Sequence, residues 1–166
     1  MEYTKALKIA NATLEQLRPH CYRCEIAGSI RRKNSEVNDI EIVAIPKPYD
    51  IGLLEHGITT VVNQWEVVKG ELPCKYTQRI LPDGIKLDLF FAEELNWGLI
   101  YAIRTGDATY SHRILARAWT KKGYKSVHGY LTKDGKRCEV REEKDLYKLI
   151  GVTYIAPEYR FLSDRV

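Results

Sequence analysis

Apolar residues recur along this chain with two different periods, and the change from one to the other marks out its elements. Over 4–18, Leu7, Ala10, Leu14 and Leu17 return every three or four positions, which predicts an amphipathic helix ended ahead of Pro19. A short strand is expected over 24–27, followed by Gly28-Ser29 and the basic turn Ile30-Arg31-Arg32. Residues 38–44 alternate apolar and polar, the period of a half-buried strand. Pro46, Lys47 and Pro48 break that pattern, and a short helix is expected near 50–56. The β-branched run 59–68 reads as a strand, and 75–91 as a hairpin about Pro82-Asp83-Gly84. Beyond it the texture changes. Helices are expected over 93–103 and 109–122, interrupted at Thr105-Gly106. A second hairpin, 125–131 with 137–141, flanks Lys133-Asp134-Gly135, and a last helix over 142–150 stops at Gly151.

The order is a helix with an antiparallel-rich sheet and then a small α+β lobe, with no internal repeat or low-complexity tract. The chain has 166 residues, enough for one ordinary domain or two small lobes. It is 45% apolar and 29% charged, and its apolar runs stop well short of the ~20 residues a spanning helix needs. An intracellular protein, cytoplasmic or nucleoid, is expected. The net charge of +4 is mild, but its distribution is not. Between Arg104 and Lys125 lie Arg104, Arg113, Arg117, Lys121, Lys122 and Lys125 against one acid, Asp107. Such a cluster is either a solvated helix face or a surface for a polyanion. Cys21, Cys24, Cys74 and Cys138 are too scattered for a disulfide framework. Cys21 and Cys24 form a lone C-x-x-C, read as small, partly buried strand residues rather than a zinc or redox site.

The chemistry concentrates in Asn38-Asp39-Ile40-Glu41-Ile42-Val43. On a strand, Asp39 and Glu41 project to one side while Ile40 and Ile42 point to the core. Two anions on one pleated face repel, and a divalent cation with hard oxygen ligands relieves them. In Lys86-Leu87-Asp88-Leu89-Phe90-Phe91, Leu87, Leu89 and Phe91 share one face and Asp88 takes the other. If both strands lie in one sheet, three carboxylates converge, the set a two-metal phosphoryl-transfer site needs. The plainer alternative is a D-x-E whose acids face water. Eleven residues ahead of Asp39 stands Gly28-Ser29. Glycine there lets a phosphate approach the backbone, Ser29 adds a hydroxyl donor, and Arg32, with Arg31 beside it, can give charge-assisted hydrogen bonds.

Gly28-Ser29-x-x-Arg32 followed by Asp39-x-Glu41 resembles the nucleotidyltransferase signature of the DNA polymerase beta superfamily, family X. Asp88 resembles the later aspartate of the catalytic palm, and Thr105-Gly106 the turn that opens the nucleotide-binding thumb. The tail from Leu149 to Arg160 is similar to the family's closing segment. The resemblance implies an α+β fold: a nucleotidyltransferase palm over 1–95, a mixed sheet with flanking helices, then a small α+β thumb over 96–166. It implies two-metal nucleotidyl transfer to a nucleic-acid 3′-hydroxyl in templated gap filling, with two Mg²⁺ or Mn²⁺ ions. Asp39 and Glu41 would hold both metals, and Asp88 the catalytic one. Gly28, Ser29 and Arg32 would grip the nucleotide phosphates, and Thr105 and Gly106 would line its sugar. Arg104, His112, Arg113, Arg117, Lys121 and Lys122 would meet nucleic acid, and His128-Gly129-Tyr130 would approach the nascent pair. The implied partners are a dNTP and primer-template or gapped DNA, bound by a monomer.

The chain departs from the pattern in particulars. The second acid is Glu41, whose extra methylene carries the carboxylate outward by roughly 1.5 Å, and a misplacement of about 1 Å can cost ~100-fold in rate. Ile103-Arg104 stands where an aromatic pair often precedes the thumb turn. The thumb helix is one residue longer than the common pattern. Only one helix precedes the palm, so weak, salt-sensitive DNA binding and short distributive synthesis are expected. Three alternatives stay open: nucleotidyl transfer to a small molecule or protein, untemplated tailing, and a non-catalytic nucleic-acid-binding domain.

Overall fold

Helix α1, Tyr3–Leu17, begins where the Glu2 carboxylate accepts from the N–H groups of Thr4 and Lys5, two donors the first turn cannot satisfy itself. It ends just ahead of the turn that contains Pro19, and its Ala6, Ala10, Leu14 and Leu17 are buried. Leu7, expected on that face, is only partly buried; Ala6 takes its place. The computed structural model describes residues 1–48 and 57–162, so the helix expected near 50–56 lies outside the described residues. The chain divides into two compact units, Met1–Ala92 and Glu93–Val166.

The first unit is a five-stranded mixed sheet in the order β1-β2-β5-β4-β3. Its strands are β1 (Cys21–Ile26), β2 (Asp39–Pro46), β3 (Glu66–Lys69), β4 (Tyr76–Ile80) and β5 (Lys86–Phe91). All neighbouring pairs are antiparallel except β2 and β5. A parallel pair needs a long crossover, which the residues between Pro46 and Lys86 supply. Ile40, Ile42, Ala44, Leu87 and Leu89 pack into one core with α1, each large side chain contributing ~1.5–3 kcal/mol by leaving water. The same alternation sends Asp39, Glu41 and Asp88 to the opposite face. Gly28–Arg31 forms a short helical turn, α2, between β1 and β2.

The expected strand 59–68 is two elements. Ile58–Val62 is a helix, α3, and only Glu66–Lys69 is strand. β-branched residues favour strands, but Ile58 and Val62, four apart, both enter the core when the segment is helical. Burial overrides the modest propensity penalty.

In the second unit, α4 (Trp97–Thr105) is followed by a helical run over 108–121. That run comprises α5 (Ala108–Tyr110), a π-helical segment Ser111–Ala116, and α6 (Arg117–Lys121). A three-stranded sheet of β6 (Lys125–Val127), β7 (Tyr130–Lys133) and β8 (Lys136–Cys138) precedes α7, Glu143–Ile150. The expected single strand over 125–131 is broken at His128-Gly129. Both residues have positive φ, 51° and 83°, and Val127 pairs directly with Tyr130 across them. Asp134-Gly135, at 51° and 73°, makes the next two-residue turn. Two left-handed residues match the twist of the strands they join. Helix α7 opens with a reciprocal cap between Glu142 and Asp145 and closes on left-handed Gly151. Leu99, Ala102, Leu115, Trp119, Leu131 and Leu146 belong to this unit's own core. Among the described residues no helix is long and apolar enough to cross a membrane.

Candidate active site

The parallel pairing of β2 with β5 sets Glu41 opposite Asp88 and Asp39 opposite Lys86. Asp39 and Asp88 come within hydrogen-bonding reach of each other. Burial, and then the charge of Asp88, hold the Asp39 carboxyl above the usual carboxylate range, while Arg32 and Lys86 pull the other way. Asp88 itself is 8% exposed. Two strands distant in sequence therefore bring two acids together at a place where their ionised forms repel.

The Glu41 carboxylate reaches Gly28. A Cβ built on Gly28 would lie 1.6 Å from Glu41 Oε2, so the carboxylate occupies the space above the glycine where any side chain would stand. Gly28 has a φ of +60°, a second reason for glycine. Glutamate's length lets the carboxylate reach the α2 turn, whose backbone is tied to β2 by the Ala27 N–H donating to Glu41 O at 2.8 Å. Among the described residues no group of three His, Cys, Asp or Glu side chains is gathered as a metal ion would need. The donor chemistry of the Asp39–Asp88 pair nonetheless fits a divalent cation: hard anionic oxygens, close together, in repulsion. In the α2 turn, Ser29 Oγ is buried without a hydrogen-bond partner.

Two further residues belong to this face, and sequence reasoning did not single them out. Tyr76 Oη donates to Asp88 Oδ1 at 2.5 Å, and Gln78 Nε2 donates to the same oxygen at 2.7 Å. Both stand on β4, where Gln78 pairs directly with Asp88. The alternation of Tyr76, Thr77 and Gln78 is a readable signal, but which strand they face is not.

Cys21 and Cys24 are buried at the start of β1, as small strand residues. A register shift between Cys21 and Arg23 inserts one extra residue there, which turns both thiols to the same core.

In the second unit, Thr105 is fully buried and Gly106 caps α4. A Cβ at Gly106 would meet the Tyr110 ring at 2.6 Å, so this glycine answers a close approach rather than a special φ. Asp107 caps the following helix by accepting from the Tyr110 N–H at 2.6 Å, and its own N–H donates to Arg160 O. The tail thus pins the Thr105-Gly106 turn. Arg160 is fully buried, ion-paired to Glu143, with its guanidinium 5.3 and 5.1 Å from the rings of Tyr147 and Tyr154.

His112, Arg113, Arg117 and Lys121, with Ala116 and Thr120, line one groove on the basic helix. Arg104 is exposed on α4 and is not part of that groove. Lys122 is not part of it either: its ammonium lies over Gly151, within 3.1 Å of where a Cβ would be. The π-helical segment, in which the Arg117 N–H donates to His112 O, holds one residue more than α-helical winding would.

Residues 100–161 match the family model of the DNA polymerase beta thumb. Among solved structures, the chain is similar to Leishmania infantum polymerase beta in a ternary P/T complex, with a TM-score of 0.73 and 18% identity over 96% of this chain and 76% of that one. The ternary gap complex of the same protein gives a TM-score of 0.74 and 18% identity, covering 96% of this chain and 70% of that one. No curated protein sequence matches. At 18% identity the likeness is one of fold, and it extends along nearly the whole chain. The chain has a polymerase beta-like fold, and residues 100–161 of its second unit are similar to the DNA polymerase beta thumb.

Proposed function

We propose that this protein is a nucleotidyltransferase that adds nucleotides to a nucleic-acid 3′-hydroxyl, in the form of templated, gap-filling DNA synthesis. The observation that carries the reading is the meeting of Asp39 and Asp88 on one face of the parallel β2–β5 pair, beside the Gly28-Ser29 turn. Like charges held together in a folded protein cost stability, and a site that bears that cost is a site built for a cation. Asp39 and Asp88 would hold the metal, with Glu41 as the third acid of the same strand pair. Bound there, such an ion would supply charge neutralisation for a triphosphate and would lower the pKa of a hydroxyl it holds.

The chain's own residues supply the rest. Gly28 leaves its backbone open to a phosphate, Ser29 offers a hydroxyl, and Arg32 adds a cation that already acts on Asp39. The groove of His112, Arg113, Arg117 and Lys121 suits a phosphate backbone, to which each bound cation adds affinity by counterion release. The neighbouring solved structures are of a polymerase beta in P/T and gap complexes, which supports DNA as the partner here. The thumb match over 100–161 favours this reading over transfer to a small molecule.

A primer extension assay tests it. A labelled primer, alone and annealed across a one-nucleotide gap, is offered each dNTP and rNTP with Mg²⁺ or Mn²⁺. Template-matched extension supports the proposal, and extension without a template points to tailing. No extension with any substrate, from folded protein, would overturn it.

A further inference from the structure

We propose that Tyr76 and Gln78 are positioning residues that hold the Asp88 carboxylate by one oxygen and present the other to the site. The inference rests on the proposed role of Asp88. Both donors converge on Oδ1, at 2.5 and 2.7 Å, and neither residue is a carboxylate. Two hydrogen bonds to one oxygen fix the carboxylate's rotation, because turning it would break both. Oδ2 is left as the oxygen without these donors, so the geometry presets a ligand that binds through a single oxygen.

The donors are themselves held. Gln78 is the direct cross-strand partner of Asp88 on β4. The Tyr76 ring stacks on Phe90 with centroids 4.9 Å apart and planes at 21°, and Lys69 Nζ stands 5.5 Å from the ring centroid. Phe90 is two residues beyond Asp88 on β5, so the aspartate and the platform that orients its clamp are carried by one strand. Asp39 has a different setting: the groups acting on it are Asp88, Arg32 and Lys86, all charged. Asp88, by contrast, takes two neutral donors from β4. Partners of this kind, which orient a metal-ligating side chain, typically change affinity or activity by 10–100-fold when removed.

The test uses the full chain with Tyr76→Phe, Gln78→Met, the double variant, and Asp88→Ala as reference. Three quantities are read: kcat and KM for single-nucleotide insertion, Mn²⁺ affinity by electron paramagnetic resonance without nucleotide, and the melting temperature. Each single variant is expected to lower kcat and weaken Mn²⁺ binding roughly tenfold, with nucleotide KM within about twofold of wild type. A purely structural role would lower the melting temperature and leave Mn²⁺ affinity and the split between kcat and KM unchanged. If Asp88→Ala abolishes insertion while both single variants keep wild-type kcat and Mn²⁺ affinity, the clamp is wrong and the active-site reading stands. If Asp88→Ala stays active, the role of Asp88 and the clamp fall together. Should the wild type show no insertion, the Mn²⁺ measurement still decides: equal affinity in wild type and Tyr76→Phe overturns the clamp.

Discussion

In the second unit a carboxylate is buried against its opposite charge. Glu143 meets Arg160, both nearly sealed from water, and two tyrosine rings pack on the guanidinium. In the first unit a carboxylate is brought against its own kind, Asp39 beside Asp88, with burial and the charge of Asp88 working against ionisation of Asp39. The first arrangement pairs each charge with its opposite. The second is left incomplete by the fold. Paired opposite charges hold a fold together, whereas like charges held close strain it and mark a place where a cation would bring relief.

The comparison breaks most decisively at the acids. Asp39→Ala or Asp88→Ala should reduce turnover on the order of 1,000-fold or more in primer extension while the melting curve is kept. Activity close to wild type in Asp88→Ala would show that the site has been placed wrongly. The buried ion pair should fail in the opposite manner. Arg160→Met or Glu143→Gln alone should cost about 3–5 kcal/mol in urea denaturation, because each strands a buried partner. Combining Glu143→Leu with Arg160→Met in one chain should restore most of that loss, since neither charge is then left buried alone. Removing one of the two like charges should instead stabilise. Asp39→Asn in EDTA at neutral pH should raise the melting temperature by about 2–4 °C, the shift that ~1 kcal/mol produces in a chain of this size. A fall would mean that the acids do not repel in the folded protein.

Smaller effects sharpen the contrast within the second unit. Arg117→Ala should reduce the salt slope of DNA binding by about 0.9, one phosphate contact, as read by anisotropy across a salt series. Lys122→Ala, whose ammonium lies over Gly151, should change it less. Tyr130 offers a pH signature. Burial, then its hydrogen bond to Glu93, push its phenol up to about 12. The uncharged phenol is thus favoured in the folded state. Its stabilisation is complete below the unfolded value of ~10 and is lost as pH rises through about 12. Melting temperatures over that range should fall less steeply in Tyr130→Phe than in wild type.

Local pattern determined a good deal here. Period-two alternation put Asp39 and Asp88 on the faces opposite their leucine and isoleucine neighbours, because side chains on a strand have only two directions to take. The helical spacing of Ala10, Leu14 and Leu17 set the face of α1, and Pro19 its end. The Asp134-Gly135 turn was legible from composition. Ile58–Val62 and His128-Gly129 were not, since tertiary burial overrode β-propensity in one and a left-handed histidine broke a strand in the other.

What only the tertiary structure decided is which residues meet. Nothing along the chain states that β2 and β5 lie side by side in parallel, that Gln78 faces Asp88, or that Glu41 reaches across to Gly28. Those meetings depend on strand register, and register is settled by the whole sheet and the core beneath it at once. A side chain's direction is a local property of the backbone; its partner belongs to the fold.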